Sequence, residues 1–120
     1  MINFGFIIAV GTEGEVYTGS EIPKAADYLQ KFGYVSFAIG ETENGVYISG
    51  RSNDNRVDIG WIMSRFGGGG NQYSGACLLE NETVEGARDK LIMELIPDYV
   101  NPETINSNYV KTKTLKPNYV

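Results

Sequence analysis

The chain has 120 residues, a formal net charge of −5 at pH 7 and a composition ordinary for a globular protein. This length is enough for one hydrophobic core and too short for two. The negative charge argues against a protein that binds nucleic acid through overall positive charge, and the absence of histidine removes the commonest general base and metal ligand.

The sequence shows no stretch with the length and apolar character of a membrane-spanning helix, and no basic region followed by an apolar run at its start. Cys77 is the only cysteine, so no internal disulfide can form. We therefore expect a cytoplasmic protein with no membrane partner.

The first half of the chain predicts a strand, a helix and a hairpin. Residues 4–10 are apolar enough for a buried strand, and residues 15–19 are compatible with a short pairing strand. Ser20 is a candidate N-cap for a helix that Gly33 ends. One face of this helix is apolar, with Ile22, Ala25, Ala26, Leu29 and Phe32. Two strands at 34–40 and 45–52 then flank Asn44–Gly45, a strong hairpin signal.

The second half predicts two further helices separated by a strand. Asp58 can cap a short helix with one apolar face, which contains Ile59, Ile62, Met63 and Phe66. A glycine run at 67–70 ends this helix, and an apolar strand at 74–80 follows. Thr83 can cap a last helix, which Pro97 ends. The inward residues of that helix are Val84, Ala87, Leu91 and Leu95.

This order predicts an α+β fold, with a mixed β-sheet of about five strands and three helices packed on it. The domain is expected to occupy residues 1–97. Residues 98–120 are polar and are interpreted as an extended tail, the alternative being that they pack as an extra strand or arm.

The glycine run has two interpretations, a flexible connector or a rigid loop built from backbone. Its place between an amphipathic helix and an apolar strand favours the rigid loop, in which glycines allow close approaches and backbone N–H groups can form an anion site. The order helix, glycines, strand differs from the dinucleotide-binding fingerprint, and no Gly-Lys-Ser/Thr of a phosphate-binding P-loop follows.

Four motifs in order resemble the DHHA1 domain, the C-terminal substrate-binding domain of DHH-family phosphoesterases. They are SGRS at 49–52, VDIGWIM at 57–63, FGGGG at 66–70 and SGA at 74–76, and the resemblance covers roughly residues 4–96. It implies that a separate domain performs phosphodiester hydrolysis with two manganese ions. This chain would have no catalytic residue, metal ligand or cofactor of its own. It would act with a DHH catalytic domain in cis or in trans, either as a fragment or as a separately encoded half.

The resemblance implies that the ligand is a nucleotide, a cyclic dinucleotide or a short single-stranded nucleic acid. The implied phosphate-binding residues are Arg51, Ser52, Gly67, Gly68, Gly69, Gly70 and Asn71. From the residues alone, an ion pair of Arg51 with Asp54 or Asp58 is the alternative for the arginine. A tight turn that lets a helix and a strand pack closely is the alternative for the glycines.

Asn71 stands where the family usually has a histidine that contacts phosphate. Because asparagine donates a hydrogen bond but carries no positive charge, a weaker or altered anion site is expected. The alternative function is therefore a non-enzymatic interaction or oligomerisation module with a degenerate ligand site, for example in a homodimer.

Four other residues near the loop are weaker candidates for the site. Tyr73 is the candidate for stacking on a base. Trp61 is expected to pack in the core or at its edge, Arg65 to be solvated, and Cys77 to be a small buried residue.

Overall fold

The computed structural model of the chain describes residues 5–32, 35–96, 98–99 and 110–119. In these ranges six strands form one mixed sheet, and three α-helices pack on it. The strands are β1 Phe6–Val10, β2 Val35–Thr42, β3 Gly45–Ser52, β4 Gly69–Gly70, β5 Ser74–Leu79 and β6 Val110–Thr114. The helices are α1 Glu21–Leu29, α2 Ile59–Ser64 and α3 Val84–Leu95. The predicted α+β class is confirmed, with one strand more than the five expected.

The sheet has the strand order β4-β5-β3-β2-β1-β6. Strand β1 is parallel to both β2 and β6, and the other neighbours are antiparallel. The hairpin predicted at Asn44–Gly45 is confirmed as the β2–β3 connection. The strand expected at 15–19 is reduced to one bridge between Val16 and Glu41, because the chain turns at Thr18 to begin α1.

Hydrophobic residues cover both faces of the sheet. Alternate residues of β1 point to opposite sides: Phe6 and Ile8 join the core under α2 and α3, while Ile7 and Ala9 join the core under α1. Burial on both faces explains why residues 6–10 form a continuous apolar run instead of an alternating one.

Helix α1 begins with a capping box and not with the predicted side-chain cap from Ser20. The Thr18 N–H donates to Glu21 Oε1 at 2.8 Å, and the Glu21 N–H donates to Thr18 Oγ1 at 3.3 Å. Ser20 occupies the N-cap position without a capping hydrogen bond. At the other end the α-helix stops at Leu29 and tightens into a 3₁₀ turn, which rotates Phe32 off the buried face and leaves it 54% exposed.

The predicted caps of the other two helices are confirmed. Asp58 Oδ1 accepts from the Trp61 N–H at 3.0 Å, and Thr83 Oγ1 accepts from the Gly86 N–H at 2.9 Å. The predicted inward residues of both helices are buried, apart from a partly buried Phe66. Pro97, expected to end α3, lies outside the described residues.

Part of the predicted tail belongs to the sheet. Strand β6 pairs with β1, and Leu115 and Tyr119 are buried in the core under α1. The Tyr119 ring stacks on the Tyr28 ring of α1 with centroids 5.0 Å apart. The alternative of an extra strand therefore describes Val110–Thr114, while the proposed domain boundary at 97 stays a prediction. No helix in the described ranges is long and apolar enough to cross a membrane.

Candidate phosphate-binding site

An open cleft of about 360 Å³ lies over β3 and β5, on the side of the sheet that α1 partly covers. Three of the sequence-predicted residues, Arg51, Gly70 and Asn71, line it. The antiparallel pairing of β3 with β5 brings them together, because Arg51 lies opposite Ser74 and the Asn71 N–H donates to the Ser74 carbonyl at 2.8 Å.

The Arg51 guanidinium is fixed by contacts on two of its nitrogens. Its Nε donates to Asp27 Oδ1 at 2.6 Å, and its Nη1 donates to Ser49 Oγ at 3.0 Å and to the Gly50 carbonyl at 2.8 Å. Nη2 donates to no residue in the described part of the chain. The side chain of Arg51 is 18% exposed and that of Asp27 is 62% exposed. The cleft therefore holds an oriented cation with one donor nitrogen still available.

The ion pair given as the alternative for Arg51 does form, but its partner is Asp27 and neither Asp54 nor Asp58. Asp54 instead accepts from Arg56 at 2.6 Å, and Asp58 caps α2. The hydrogen bonds from the Arg56 side chain and backbone lower the pKa of Asp54 to about 2. Strand alternation places the Arg51 side chain on the α1 side, where Asp27 is within reach.

Ser52 is not brought to the cleft. As the next residue along β3 it points to the opposite face of the sheet from Arg51. Its hydroxyl is buried, donates to the Asp54 carbonyl at 2.8 Å and accepts from the Asp54 N–H at 3.1 Å. The hydroxyl therefore stabilises the turn after β3.

Most glycines of the run make backbone hydrogen bonds within the fold and do not line the cleft. The Gly67 and Gly68 N–H groups donate to the carbonyls of Ser64 and Met63 at 3.1 and 2.9 Å, which completes the end of α2. Gly69 and Gly70 form β4 and pair with β5. Of the four glycines only Gly70 lines the cleft, so the tight-turn interpretation accounts for Gly67 and Gly68.

Three of these glycines are required by geometry. Gly70 has a φ of +149°, and a Cβ on it would collide with the Ser74 carbonyl oxygen and with Gly75. Gly67 has a φ of +81°, a left-handed conformation that side chains disfavour. A Cβ on Gly68 would collide with the carbonyl oxygen of Ala76 and with the backbone of Cys77. The run is thus a rigid junction in which β4 lies directly against β5.

Asn71 shapes the loop that borders the cleft. Its Oδ1 accepts from the N–H groups of Tyr73 and Ser74 at 2.8 and 3.0 Å, and its carbonyl accepts from the Gly60 N–H at 2.8 Å. The amide Nδ2 makes no hydrogen bond within the described ranges. The asparagine therefore uses its acceptor to hold the turn, while its amide donor has no partner among the described residues.

The other candidates lie around the cleft or away from it. Tyr73 is exposed beside the loop, so its predicted stacking role stays a prediction. Trp61, expected in the core or at its edge, is also exposed, because α2 buries only its opposite side. Arg65 pairs with Glu94 at 2.9 Å. Cys77 is buried as predicted, and desolvation raises its pKa to about 11.

Sequence reasoning missed two residues that position Arg51. Ser49 lies two residues earlier on the same face of β3, so the two-residue period of a strand could have identified it. Asp27 is 24 residues away in sequence, and no local pattern indicates that contact.

The described residues contain no group of three or more Asp, Glu or Cys side chains placed to hold a metal ion. The donors in the cleft are a guanidinium and an amide, which suit an anion and not a metal ion. The manganese pair expected for a separate catalytic domain stays a prediction.

No protein-family model matches the chain. The chain is 42% identical over 64 residues to the A-adding tRNA nucleotidyltransferase of Aquifex aeolicus, a match covering 53% of this chain and 8% of that protein. It is 39% identical over 98 residues to the cyclic-di-AMP phosphodiesterase GdpP of Geobacillus thermodenitrificans, covering 79% of this chain and 15% of that protein.

Among solved structures, the pGpG-specific phosphodiesterase PggH of Vibrio cholerae aligns with a TM-score of 0.48 and 22% identity, over 58% of this chain and 26% of that one. The chain spans less than a fifth of the length of the curated relatives it matches. The two curated relatives confirm the resemblance to DHH/DHHA1 proteins that the motifs indicate.

Proposed function

We propose that this chain is the nucleotide-binding domain of a DHH-type phosphodiesterase and that the Arg51 cleft binds the phosphate. The observation that carries the proposal is the oriented guanidinium, whose Nη2 remains available in a cleft that Asn71 also lines. The relative GdpP, named for cyclic-di-AMP hydrolysis, supports a nucleotide ligand.

The donors in the cleft suit a phosphodiester. A guanidinium is permanently charged and presents donors in a plane that matches phosphate oxygens. Arg51 Nη2 and Asn71 Nδ2 would each donate to one oxygen, and Gly70 borders the same cleft. Asp27 competes for the same guanidinium, so the domain alone is expected to bind weakly.

In this proposal the domain holds the ligand and a separate DHH domain, in cis or in trans, performs the hydrolysis with manganese. The ligand class is a cyclic dinucleotide or a short oligonucleotide. The role of this chain is to bind and orient the phosphodiester, which reduces the entropic cost of the reaction.

The proposal is tested by titrating the 120-residue chain with a 5′-phosphorylated diadenylate, using NMR chemical shifts at millimolar ligand. We expect shifts confined to β3, β5 and the loop at Asn71, and their loss in Arg51→Gln. Arg88→Gln is the matched control, because Arg88 is an ion-paired arginine on α3 at the opposite face of the sheet. Absence of shifts in the wild type, or equal binding by Arg51→Gln, would contradict the proposal.

The second candidate is a non-enzymatic interaction module with a degenerate site. The observation in its favour is that Asn71, in the family's histidine position, uses its side-chain oxygen to hold the loop. Sedimentation of the chain over a range of concentrations tests the homodimer version. A chain that stays monomeric while binding the diadenylate would count against this candidate.

A further inference from the structure

A second surface lies at the end of the sheet formed by the β2–β3 hairpin. It is an open groove of about 420 Å³ between residues 16–19 and the end of β5. Its apolar walls are Val16, Tyr17, Tyr47 and Leu78, and we call it the hairpin groove. Val16 is 62% exposed and Leu78 is 40% exposed. Two large hydrophobic side chains are thus left accessible on one groove, which is typical of a surface that a partner covers.

The Tyr17 wall of the groove is fixed by the rest of the fold. The Tyr17 N–H donates to the Glu41 carbonyl at 2.7 Å, and the Tyr17 hydroxyl donates to Glu15 Oε2 at 2.8 Å. The Tyr17 ring lies directly against Gly11 and Gly40, where an added Cβ would approach it to 2.8 and 3.0 Å. A ligand that enters the groove therefore meets a surface that is already formed, which reduces the entropic cost of binding.

Strand β5 has an open edge beside the groove. Strand β4 pairs with β5 only at Gly75 and Ala76, whereas β3 pairs with β5 as far as Leu79. In the described part of the chain, no strand pairs with the outer side of residues 77–79. Leu78 therefore presents its side chain to the groove and its backbone to an open edge, to which an extended polypeptide can add.

Negative charge surrounds the same end of the sheet. A neighbouring depression of about 450 Å³ is lined by no lysine or arginine but by five glutamates, Glu13, Glu41, Glu43, Glu80 and Glu82. Among the described residues, only Glu82 of these five forms an ion pair, with Lys90. The depression and the hairpin groove are continuous, because Thr42, Glu43 and Asn44 line both.

The apolar groove and part of the acidic depression lie on opposite faces of the sheet. Leu78 is paired with Tyr47, and both line the groove. Glu41 is paired with Val46, whose side chain joins the core on the other face. The partner surface is therefore apolar on one face of the sheet and negatively charged towards the other.

We infer that the hairpin groove docks an extended basic segment of another protein, in which apolar residues alternate with lysine or arginine. Successive side chains of a strand point to opposite faces, so a segment that adds to β5 can place its apolar side chains in the groove and its cations near the glutamates. A second copy in a symmetric dimer fits poorly, because it would bring the same carboxylates and a net charge of −5 to the interface. The inference does not rest on the proposed function, since neither Arg51 nor Asn71 lines the groove.

The test is the fluorescence anisotropy of a labelled, end-blocked peptide of alternating lysine and leucine, titrated with the 120-residue chain at several salt concentrations. We expect saturable binding that weakens as the salt concentration rises. A peptide with serine in place of leucine should bind roughly tenfold more weakly, because it cannot fill the groove. A peptide with glutamate in place of lysine should lose binding, because like charges then meet.

Substitutions in the chain separate the apolar from the charged contribution. Leu78→Ser should weaken binding roughly fivefold at constant salt and leave the salt dependence unchanged, because it removes apolar contact and no charge. Val16→Ser tests the opposite wall with a more exposed side chain and should have the same effect. Glu43→Gln combined with Glu80→Gln should weaken binding roughly threefold at low salt and reduce the salt dependence.

Three control variants distinguish this surface from others. Met93→Ser removes an apolar side chain of α3 that is 68% exposed, and Asp89→Asn removes an exposed carboxylate of the same helix. Arg51→Gln removes the cation of the cleft. All three should bind the lysine–leucine peptide like the wild type. Because Val16 is exposed, Val16→Ser should keep the thermal midpoint of the parent, which circular dichroism checks.

Three results would overturn the inference. One is binding by both Leu78→Ser and Val16→Ser equal to that of the wild type. Another is equal binding of the serine-containing peptide, which would reduce the interaction to attraction between charges. The third is self-association of the chain in sedimentation that Leu78→Ser abolishes, which would assign the groove to a second copy.

Discussion

Alanine substitutions at Gly67, Gly68 and Gly69 should destabilise the fold to three different degrees, because the three positions differ in backbone conformation and in the space for a Cβ. Gly69 has no neighbouring atom within 4 Å of an added Cβ and needs no left-handed backbone. Gly67 has equal space but a φ of +81°. Gly68 needs no left-handed backbone, but its Cβ would lie 2.6 Å from the Cβ and 2.8 Å from the Cα of Cys77, as well as against the Ala76 carbonyl.

The expected magnitudes follow from these positions. Gly69→Ala should change the free energy of unfolding by less than about 0.5 kcal/mol, because it only restricts the unfolded chain. Gly67→Ala should cost about 1 kcal/mol, the strain of a left-handed alanine. Gly68→Ala should cost about 3 kcal/mol or more, since β4 must separate from β5 to admit the methyl group.

Thermal unfolding followed by circular dichroism measures the series, with urea unfolding as a second estimate. For a chain of this size, about 4 °C of melting temperature corresponds to 1 kcal/mol. We therefore expect midpoints within about 2 °C of wild type for Gly69→Ala, about 4 °C lower for Gly67→Ala and about 12 °C lower for Gly68→Ala. Equal midpoints for Gly68→Ala and Gly69→Ala would refute the close approach of β4 to β5 and return the run to a flexible connector.

Three further predictions concern the cleft and the turn after β3. Asp27→Asn should tighten diadenylate binding up to about fivefold in the NMR titration, because it removes the exposed carboxylate that competes with the ligand for Arg51. The Asp27–Arg51 ion pair is worth at most about 1 kcal/mol, which sets this limit. Unchanged or weaker binding would contradict the competition. Asn71→His should bind an unphosphorylated dinucleoside phosphate more tightly at pH 6 than at pH 8, since imidazole gains its charge near pH 6.5. The wild type has no histidine and should bind equally at both pH values. Equal binding by the variant at both pH values would show that residue 71 does not contact the phosphate. Asp54→Asn should make stability, measured by urea midpoints, less sensitive to acid between pH 4 and pH 2. Hydrogen bonds from Arg56 lower the pKa of Asp54 from 3.8 to about 2, so its stabilisation is present above the unfolded pKa and is lost as the pH falls through the folded pKa. Equal acid sensitivity in variant and wild type would show that this pair does not stabilise the fold.

Local signals predicted the parts of the fold that depend on neighbours in sequence. The caps at Asp58 and Thr83 were predictable because a cap bonds to a backbone group only three residues away. The same locality explains the hairpin at Asn44–Gly45 and the inward faces of α2 and α3.

Pairing between strands that are far apart in sequence explains the elements that local sequence signals do not predict. Strand β4 consists of two glycines, which have low strand propensity, and its pairing is imposed by β5. The polar segment of β6 becomes a strand because β1 offers an edge. Ser52 and Arg51 are neighbours in the SGRS motif, but alternation along β3 turns their side chains to opposite faces of the sheet, so they do not share one cleft.

Helix α1 relates the Arg51 cleft to the charge of the chain. On its β3 flank Asp27 accepts from Arg51 Nε, so the cation is held in place and partly neutralised while Nη2 stays available. Net attraction of anions to the cleft is therefore weak, and the fit of the ligand to the remaining donors decides binding. A phosphodiester meets this condition, because it can place one oxygen on Arg51 Nη2 and the other on the Asn71 amide while Asp27 keeps Nε.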